Sequence, residues 1–196
     1  IIDRKKDIYK NSRGQTIAPQ KIENLFQDFD AIKSIFLVGD GKEFNTVLIY
    51  PDHKNSPLDL KFESDKTIRD FFSSIILSVN SFLAPFERIV NYVLIHRDFS
   101  KERGELTHKG TFIRTQVLKN FKKIIDPLYE KNYLSLYNNS KEVRIPNWLT
   151  REIGTVKNNI SWDGKILTIK DQSKRMSLSW IDNNIQIGDF IYTTKS

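Results

Sequence analysis

An apolar stripe between residues 68 and 83 constrains the fold more than any other feature of the sequence. Its members recur at helical spacing and end before Pro85: Ile68, Phe71, Phe72, Ile75, Ile76, Val79, Phe82 and Leu83. A helix with one apolar face has to cover another element. Apolar, β-branched runs predict three strands that this helix can cover: Ile32–Val38, Thr46–Tyr50 and Ile89–Ile95. We therefore expect the helix to pack on a small sheet.

Turn signals complete the predicted order of elements. Gly39-Asp40-Gly41 lies between the first two strands and predicts a β-hairpin. A second hairpin or tight loop is predicted over Asp7–Ala18, around Asn11-Ser12-Arg13-Gly14. Helices are predicted from Pro19 to about Asp28 and from Ile113 to about Tyr129, with a polar loop over residues 98–110 before the second. We therefore predict that residues 1–132 form an α+β domain, a small sheet flanked by helices with an N-terminal hairpin.

The composition shifts after about Asn132. All three tryptophans lie beyond it, and three short β-like runs follow, separated by turns: Lys165–Ile169, Met176–Ile181 and Phe190–Thr193. We predict that residues 133–196 form a small all-β appendage of unknown role.

Composition narrows the classes of function. The 196-residue chain has no cysteine, so disulfides and thiolate metal sites are excluded, and a reducing cytoplasm fits best. No apolar stretch approaches the roughly 20 residues that cross a bilayer. The net charge of +7 favours anionic partners, namely nucleic acid, an anionic membrane or a nucleotide, but an ordinary lysine-rich surface explains it equally well. Because the chain has no initiator methionine, we expect that it derives from a longer protein.

Four segments together resemble a known family. The segment from Asp3 to Asn24 (DRKKDIYKNSRGQTIAPQKIEN) resembles the hinge motif of the adenylate-forming superfamily, in the form found in long-chain fatty-acid–CoA ligases. Three further family motifs follow in the family's order: Val38-Gly39-Asp40-Gly41, Ala84-Pro85-Phe86-Glu87-Arg88-Ile89 and Gly104-Glu105-Leu106-Thr107. The resemblance covers about residues 1 to 130.

The resemblance implies a mobile C-terminal domain. In this family a large N-terminal domain binds ATP and the carboxylic acid, and the small domain turns about a hinge to form first the acyl adenylate and then the CoA thioester. The implied reaction converts fatty acid, ATP and CoA into acyl-CoA, AMP and pyrophosphate. Mg²⁺ is expected in the intact enzyme but not on this domain. Since the adenylate-binding domain is absent here, the chain alone is expected to be inactive.

The resemblance also assigns candidate residues. Arg4 corresponds to an arginine that contacts the nucleotide, and Lys6 to the hinge position. Ser12, Arg13 and Gly14 correspond to the loop that lines the passage for the pantetheine arm of CoA, where Arg13 either contacts a CoA phosphate or narrows the passage.

The adenylation lysine is displaced. Relatives carry it seven residues after the glycine of Gly104-Glu105-Leu106-Thr107, and that position is Thr111 in this chain. The nearest cation is Lys109. Either Lys109 takes over the role, or the parent enzyme adenylates weakly or differently. We do not assign His108 as a general base, because the carboxylate and thiolate nucleophiles need little base assistance.

The same loop contains three acidic residues, a number that could form a metal cluster. We interpret Asp98, Glu102 and Glu105 as balancing charge in a polar loop.

Two other functions remain open from the sequence. One is a related adenylate-forming enzyme that loads a carrier protein. The other is a basic module that binds nucleic acid or anionic lipid, which the net charge alone supports. The family resemblance argues against nucleic acid as a partner and leaves room for peripheral membrane contact.

Overall fold

A computed structural model of the chain describes residues 7–57, 62–182 and 184–193. Along these residues the helices are α1 (Pro19–Asn24), α2 (Asp65–Asn80), α3 (Arg114–Asn120), α4 (Lys122–Tyr129) and α5 (Asn147–Ile153). The strands are β1 (Tyr9–Lys10), β2 (Thr16–Ile17), β3 (Ile32–Val38), β4 (Asn45–Pro51), β5 (Ile89–Leu94), β6 (Tyr133–Asn138), β7 (Lys141–Pro146), β8 (Ile160–Trp162), β9 (Ile166–Ile169), β10 (Lys174–Ile181), β11 (Asn184–Ile187) and β12 (Phe190–Thr193).

The predicted α+β fold is confirmed. Strands β3, β4 and β5 form a central sheet in that order, with β3 antiparallel and β5 parallel to β4. A parallel pair needs a crossover connection, and α2 supplies it between β4 and β5. Side chains alternate across the sheet, so that Leu37, Val47 and Ile49 meet α1 and α2, whereas Phe36, Val38 and Leu48 meet α3 and α4.

Helix α2 covers the sheet as predicted, but it ends before Phe82 and Leu83, and of these two only Leu83 is buried. The Ser64 hydroxyl caps its first turn by accepting from the Thr67 amide at 3.2 Å. The helix ends at Asn80, whose side chain exchanges two hydrogen bonds of 2.8 Å with the backbone of Ile89. Because the chain leaves the helix there, Phe82 is 78% exposed, and its assignment to the buried stripe is wrong.

The predicted helix from Ile113 to Tyr129 is interrupted. It divides into α3 and α4 at Phe121, whose backbone has a ψ of 10°. Phe121 is buried at the break, with its ring 5.3 Å from that of Phe99. Pro127, inside α4, cannot donate a helical hydrogen bond. Both helices turn their apolar residues to the same side of the sheet, so the apolar spacing does not reveal the break.

The N-terminal hairpin is present as β1 and β2, which pair antiparallel. Helix α1 begins at Pro19 as predicted but ends at Asn24, and turns continue the chain to Asp28. Pro19 occupies the first helical turn, where its missing N–H leaves no helical bond unmade.

The C-terminal part is rich in β-structure but is not all β. Strands β8 to β12 form an antiparallel meander, and β6 and β7 form a separate hairpin, which the sequence analysis missed. Helix α5 corrects the all-β prediction. It follows Pro146 and ends at Gly154, whose φ of +82° is the left-handed conformation that closes many helices.

The segment after α5 joins the two parts of the chain. Val156 is completely buried in the cluster formed by α1, α2 and one face of the central sheet. A separate apolar cluster around Trp162 and Leu178 stabilises the β-rich part. Residues beyond 132 thus contribute to both clusters, and the domain boundary proposed there stays a prediction.

In the described ranges, no helix has both the length and the apolar character needed to traverse a bilayer.

Candidate functional site

The loop Ser12-Arg13-Gly14 has a well-defined shape. Its conformation depends on Asn11, whose side-chain oxygen accepts from the amides of Arg13 and Gln15, each at 3.0 Å. Gly14 has a φ of +77°, which L-residues rarely adopt, and an added Cβ would meet nothing within 4 Å. The loop is exposed. Its shape is thus set locally, while its outer side stays open to a ligand.

This loop docks on the turn between β3 and β4, residues 39–44. The Ser12 amide donates to the carbonyl of Lys42 at 3.0 Å, and the Gly41 amide donates to the carbonyl of Lys10 at 2.9 Å. Tyr9 adds a buried bond from its hydroxyl to Asn45 Oδ1 at 3.0 Å. Burial raises the pKa of Tyr9 far above its ordinary value, so the phenol stays neutral. The β3–β4 turn therefore fixes where the loop lies.

Lys109 lies at the tip of a second turn. The Thr107 amide donates to the carbonyl of Thr111 at 2.8 Å, and the hydroxyls of these two threonines are 2.7 Å apart. Thr111, which the sequence analysis matched to the family's lysine position, is thus held in the base of the turn, whereas Lys109 is exposed at its tip. Lys101, which the sequence analysis did not single out, donates from Nζ to the carbonyl of His108 at 3.0 Å and adds a second cation.

Glu105 anchors the base of this loop. It is completely buried, and its carboxylate accepts from Arg97 at 2.6 and 2.9 Å, from Asn120 at 2.8 Å and from the Ser100 amide at 3.0 Å. Burial alone would raise the pKa of Glu105, but the bonds from Arg97, Asn120 and Ser100 outweigh it and hold the pKa below its usual range. The carboxylate is therefore occupied by protein donors.

The acidic loop does not fit a metal ion. Besides the pairing of Glu105, Asp98 lies 3.1 Å from Lys33 Nζ. Within the described part of the chain, no group of three His, Cys, Asp or Glu side chains could hold a metal.

A buried ion pair separates two open clefts. Arg114 Nη2 donates to Glu23 Oε1 at 3.0 Å and to the Leu37 carbonyl at 2.5 Å, and the same glutamate oxygen accepts from the Leu37 amide at 2.7 Å. One cleft, of about 590 Å³, lies beside Tyr9, Gly39 and Lys119. The other, of about 350 Å³, lies beside Gly110 and Thr111. Asp7 and Arg114 line both clefts.

Arg4 and Lys6, the candidate nucleotide contact and hinge, lie outside the described residues. Asp7, the next residue after Lys6, lines the cleft that Gly110 and Thr111 also line. Asp7 also lines the cleft beside Tyr9 and Gly39. Ser12 and Arg13 contact the β3–β4 turn, whereas the Lys109 turn is anchored through Glu105, so different contacts hold the two candidate loops.

Sequence reasoning missed the ion pairs beside the Lys109 turn, Arg97–Glu105 and Glu23–Arg114. Glu23 and Arg114 lie far apart along the chain, and neither stands out within its helix. In the sequence, each residue appears only as a charge next to the apolar positions of its helix. That position does not show which residue is its partner.

Comparison with known proteins places this geometry in context. A family model described as the C-terminal domain of AMP-binding enzymes matches residues 6–133. Long-chain-fatty-acid–CoA ligase 6 of Mus musculus is 34% identical over 145 residues, which cover 66% of this chain and 20% of that protein. Long chain acyl-CoA synthetase 3 of Arabidopsis thaliana is 31% identical over 146 residues, covering 67% of this chain and 22% of that protein. The chain thus spans about a fifth of the length of these relatives.

Solved structures share the fold. The adenylation domain of a carboxylate reductase from Mycobacterium chelonae matches with a TM-score of 0.57 and 19% identity, over 66% of this chain and 20% of that one. The A-PCP didomain of a carboxylic acid reductase from Segniliparus rugosus, in complex with AMP, matches with a TM-score of 0.53 and 20% identity, over 65% and 18% of the two chains.

We predict that Glu105→Gln lowers the free energy of unfolding by about 2 kcal/mol at pH 7, because the Arg97 charge loses its carboxylate and is only partly exposed to water. The folded-state pKa of Glu105 is lowered, so its stabilisation is present above its unfolded pKa of about 4.3 and is lost as the pH falls through the folded value. Urea unfolding should therefore separate variant and wild type at pH 7 and much less at pH 3. The exposed Glu63→Gln is the control, and equal midpoints at pH 7 would contradict the anchoring role.

Proposed function

Because the chain belongs to the family of C-terminal domains of AMP-binding enzymes, we propose that it serves as the mobile C-terminal domain of a long-chain fatty-acid–CoA ligase. The family match over residues 6–133 carries this proposal. The names of the similar ligases support fatty acid, ATP and CoA as the substrates of the complete enzyme. Its products would be acyl-CoA, AMP and pyrophosphate.

The Lys109 turn suits the first half-reaction. A fatty-acid carboxylate attacks the α-phosphorus of ATP, so two anions meet while negative charge builds up on the phosphoryl oxygens. A cation held in place before the reaction lowers this repulsion without having to reorganise. The Thr107–Thr111 bonds close the turn that carries Lys109 and so support this role for its ammonium group. Thr111 has a neutral side chain and cannot supply the charge.

The Ser12-Arg13-Gly14 loop suits the second half-reaction. The CoA thiolate attacks the acyl carbonyl of the adenylate, and AMP leaves. The pantetheine arm is thin, so its passage needs a wall without bulky side chains, and Gly14 provides one. Arg13 keeps a side chain that is 53% exposed and only 3.9 Å from the partly exposed Glu43, a weak pairing that leaves it available to a CoA phosphate.

The two loops suit a domain that closes in two orientations. They contact different elements, so each can face the reacting centre in turn as the domain moves about the hinge at Lys6. Closure also excludes water from the adenylate, which would otherwise hydrolyse. Arg4, close to the hinge, would contact the nucleotide.

The partner of this domain would be an adenylate-binding domain. Mg²⁺ would enter there with ATP, since Glu105 of the Lys109 loop pairs with Arg97 and Asp98 pairs with Lys33. The +7 net charge suits a surface that closes over ATP and CoA, both polyanions. Cytoplasmic location with peripheral membrane contact fits a fatty-acid substrate.

Loading of a carrier protein is the second candidate. The fold match to an A-PCP didomain favours considering it, because a peptidyl carrier presents the same pantetheine thiol as CoA. Supplying CoA or a carrier protein to the complete enzyme separates the two.

We predict that residues 1–196 alone neither consume ATP nor form acyl-CoA, because the family's domain for both substrates is missing from them. Fatty-acid-dependent release of pyrophosphate is the measurement. Joining the chain to an adenylate-binding domain should restore release, and activity of the purified chain by itself would refute the proposal.

In such a joined protein, Lys109→Ala should lower acyl-adenylate formation about 100-fold, the size expected when a preorganised charge is removed from a transition state. Thioester formation from preformed adenylate should be nearly unchanged, because the turn then faces away from the reacting centre. Lys109→Arg should retain part of the rate, and Lys123→Ala, which removes an exposed lysine from α4, is the matched control. Unchanged adenylation in Lys109→Ala would place the catalytic cation elsewhere.

Gly14→Leu should show the opposite pattern, with CoA transfer slowed about 10-fold or more and adenylation preserved. The leucine has room to fit but projects into the proposed passage, and it also strains a backbone with a φ of +77°. Gly188→Leu is the control, since Gly188 has a φ of +59°, equally open surroundings and a place in the distant β11–β12 turn. Equal rates of CoA transfer in the two variants would contradict the proposal that Gly14 lines the passage.

A further inference from the structure

A buried arginine from beyond the family match contacts the turn that holds the Ser12-Arg13-Gly14 loop. Arg151, on α5, is 3% exposed, and its Nη1 donates to the carbonyl of Glu43 at 3.2 Å. Glu43 follows Lys42, whose carbonyl accepts the Ser12 amide. Two consecutive carbonyls of one short turn therefore connect the C-terminal part of the chain to the loop.

Helix α5 is itself fixed to the first domain. Arg88 Nη1 donates to the carbonyls of Arg151 and Glu152 at 3.2 and 2.7 Å, so it closes the C-terminal end of α5. Val156, two residues after Gly154, is completely buried in the first domain's core. The helix from which Arg151 contacts Glu43 is therefore anchored to the first domain at its C-terminal end.

Burying the guanidinium of Arg151 at this position costs desolvation free energy. Its Nε atom is buried without a hydrogen-bond partner among the described residues, and its acidic partner Glu152 has a side chain that is 48% exposed. An apolar side chain of similar volume would avoid this desolvation. What the guanidinium adds is a directional bond to one backbone carbonyl, which suits positioning better than stability.

Lys157, which follows the buried Val156, contacts the same turn. Its ammonium lies 5.2 Å from the centre of the Phe44 ring, at the end of the turn. Burial lowers the pKa of Lys157, as expected for an ammonium removed from water. Two cations from beyond residue 133 thus converge on neighbouring residues of one turn.

We propose that Arg151 is a positioning residue through which the C-terminal module sets the place of the Ser12-Arg13-Gly14 loop. The bond to Glu43 fixes the β3–β4 turn, and the turn fixes the loop through Lys42. The module thereby acts on the thioester half-reaction, a consequence that rests on the proposed function of the loop.

Hydrogen exchange of the chain itself tests the positioning. In Arg151→Met, the Ser12 and Gly41 amides should exchange about 10-fold faster, the effect of losing one hydrogen bond to a charged group. The Val47 amide, in the central strand, should change less than about 2-fold because the core is untouched. Arg175→Met, an exposed arginine of β10, should leave all three amides unchanged.

Two results would overturn the proposal. Unchanged exchange at Ser12 and Gly41 would show that Arg151 does not hold the turn, and equal acceleration at Val47 would show a general effect on stability. Should Arg151→Met fail to fold, Arg151→Lys keeps the charge with a shorter reach, and it should accelerate Ser12 and Gly41 selectively. Acceleration equal to that at Val47 in Arg151→Lys would also overturn the proposal.

A kinetic measurement separates this proposal from the function on which it rests. Joined to an adenylate-binding domain, Arg151→Met should raise the KM for CoA several-fold with adenylation unchanged. Faster exchange at Ser12 with an unchanged KM would support positioning by Arg151 and refute the loop's role in CoA transfer.

Discussion

The β3–β4 turn can receive the N-terminal hairpin only because residue 39 has no side chain. A Cβ at Gly39 would lie 2.1 Å from Asn45 Oδ1 and 2.5 Å from the Tyr9 hydroxyl, the two atoms that join the hairpin to the sheet. The hydrogen bond between these two atoms is buried, so water could not replace it. The close approach at Gly39 therefore determines where the Ser12-Arg13-Gly14 loop lies, and with it the proposed site of CoA transfer.

A second constraint holds the other candidate loop. Glu23 on α1, the backbone of Leu37 on β3 and Arg114 at the start of α3 form one buried network. Breaking such a pair leaves an uncompensated buried charge, so its members keep their geometry even where solvent enters the clefts on either side. Since α3 follows the Lys109 turn directly, the network fixes the end of that turn relative to the sheet. The turn can then present its lysine without moving at its base.

The sequence was sufficient where apolar spacing decides the structure and insufficient where polar contacts do. Strands β3, β4 and β5 and helix α2 were predictable because their buried residues are apolar and regularly spaced. Helix α5 was not, because the residues it buries are Asn147, Thr150 and Arg151, which have no apolar period. Of the candidate site, the sequence indicated the two loops through family motifs. It did not indicate Lys101 or the ion pairs, because their partners meet only after folding.

The polar face of α5 also bears on why the C-terminal module is present. A module that only added stability would bury apolar area against the first domain, as Val156 does. Helix α5 instead places polar groups there, including Arg151, whose Nε has no hydrogen-bond partner among the described residues. Polar interfaces contribute less to stability than apolar ones of equal area, but they fix orientation, because each bond has a direction. The module therefore combines an apolar anchor at Val156 with a polar contact at Arg151, and the second is the one that reaches the loop-bearing turn.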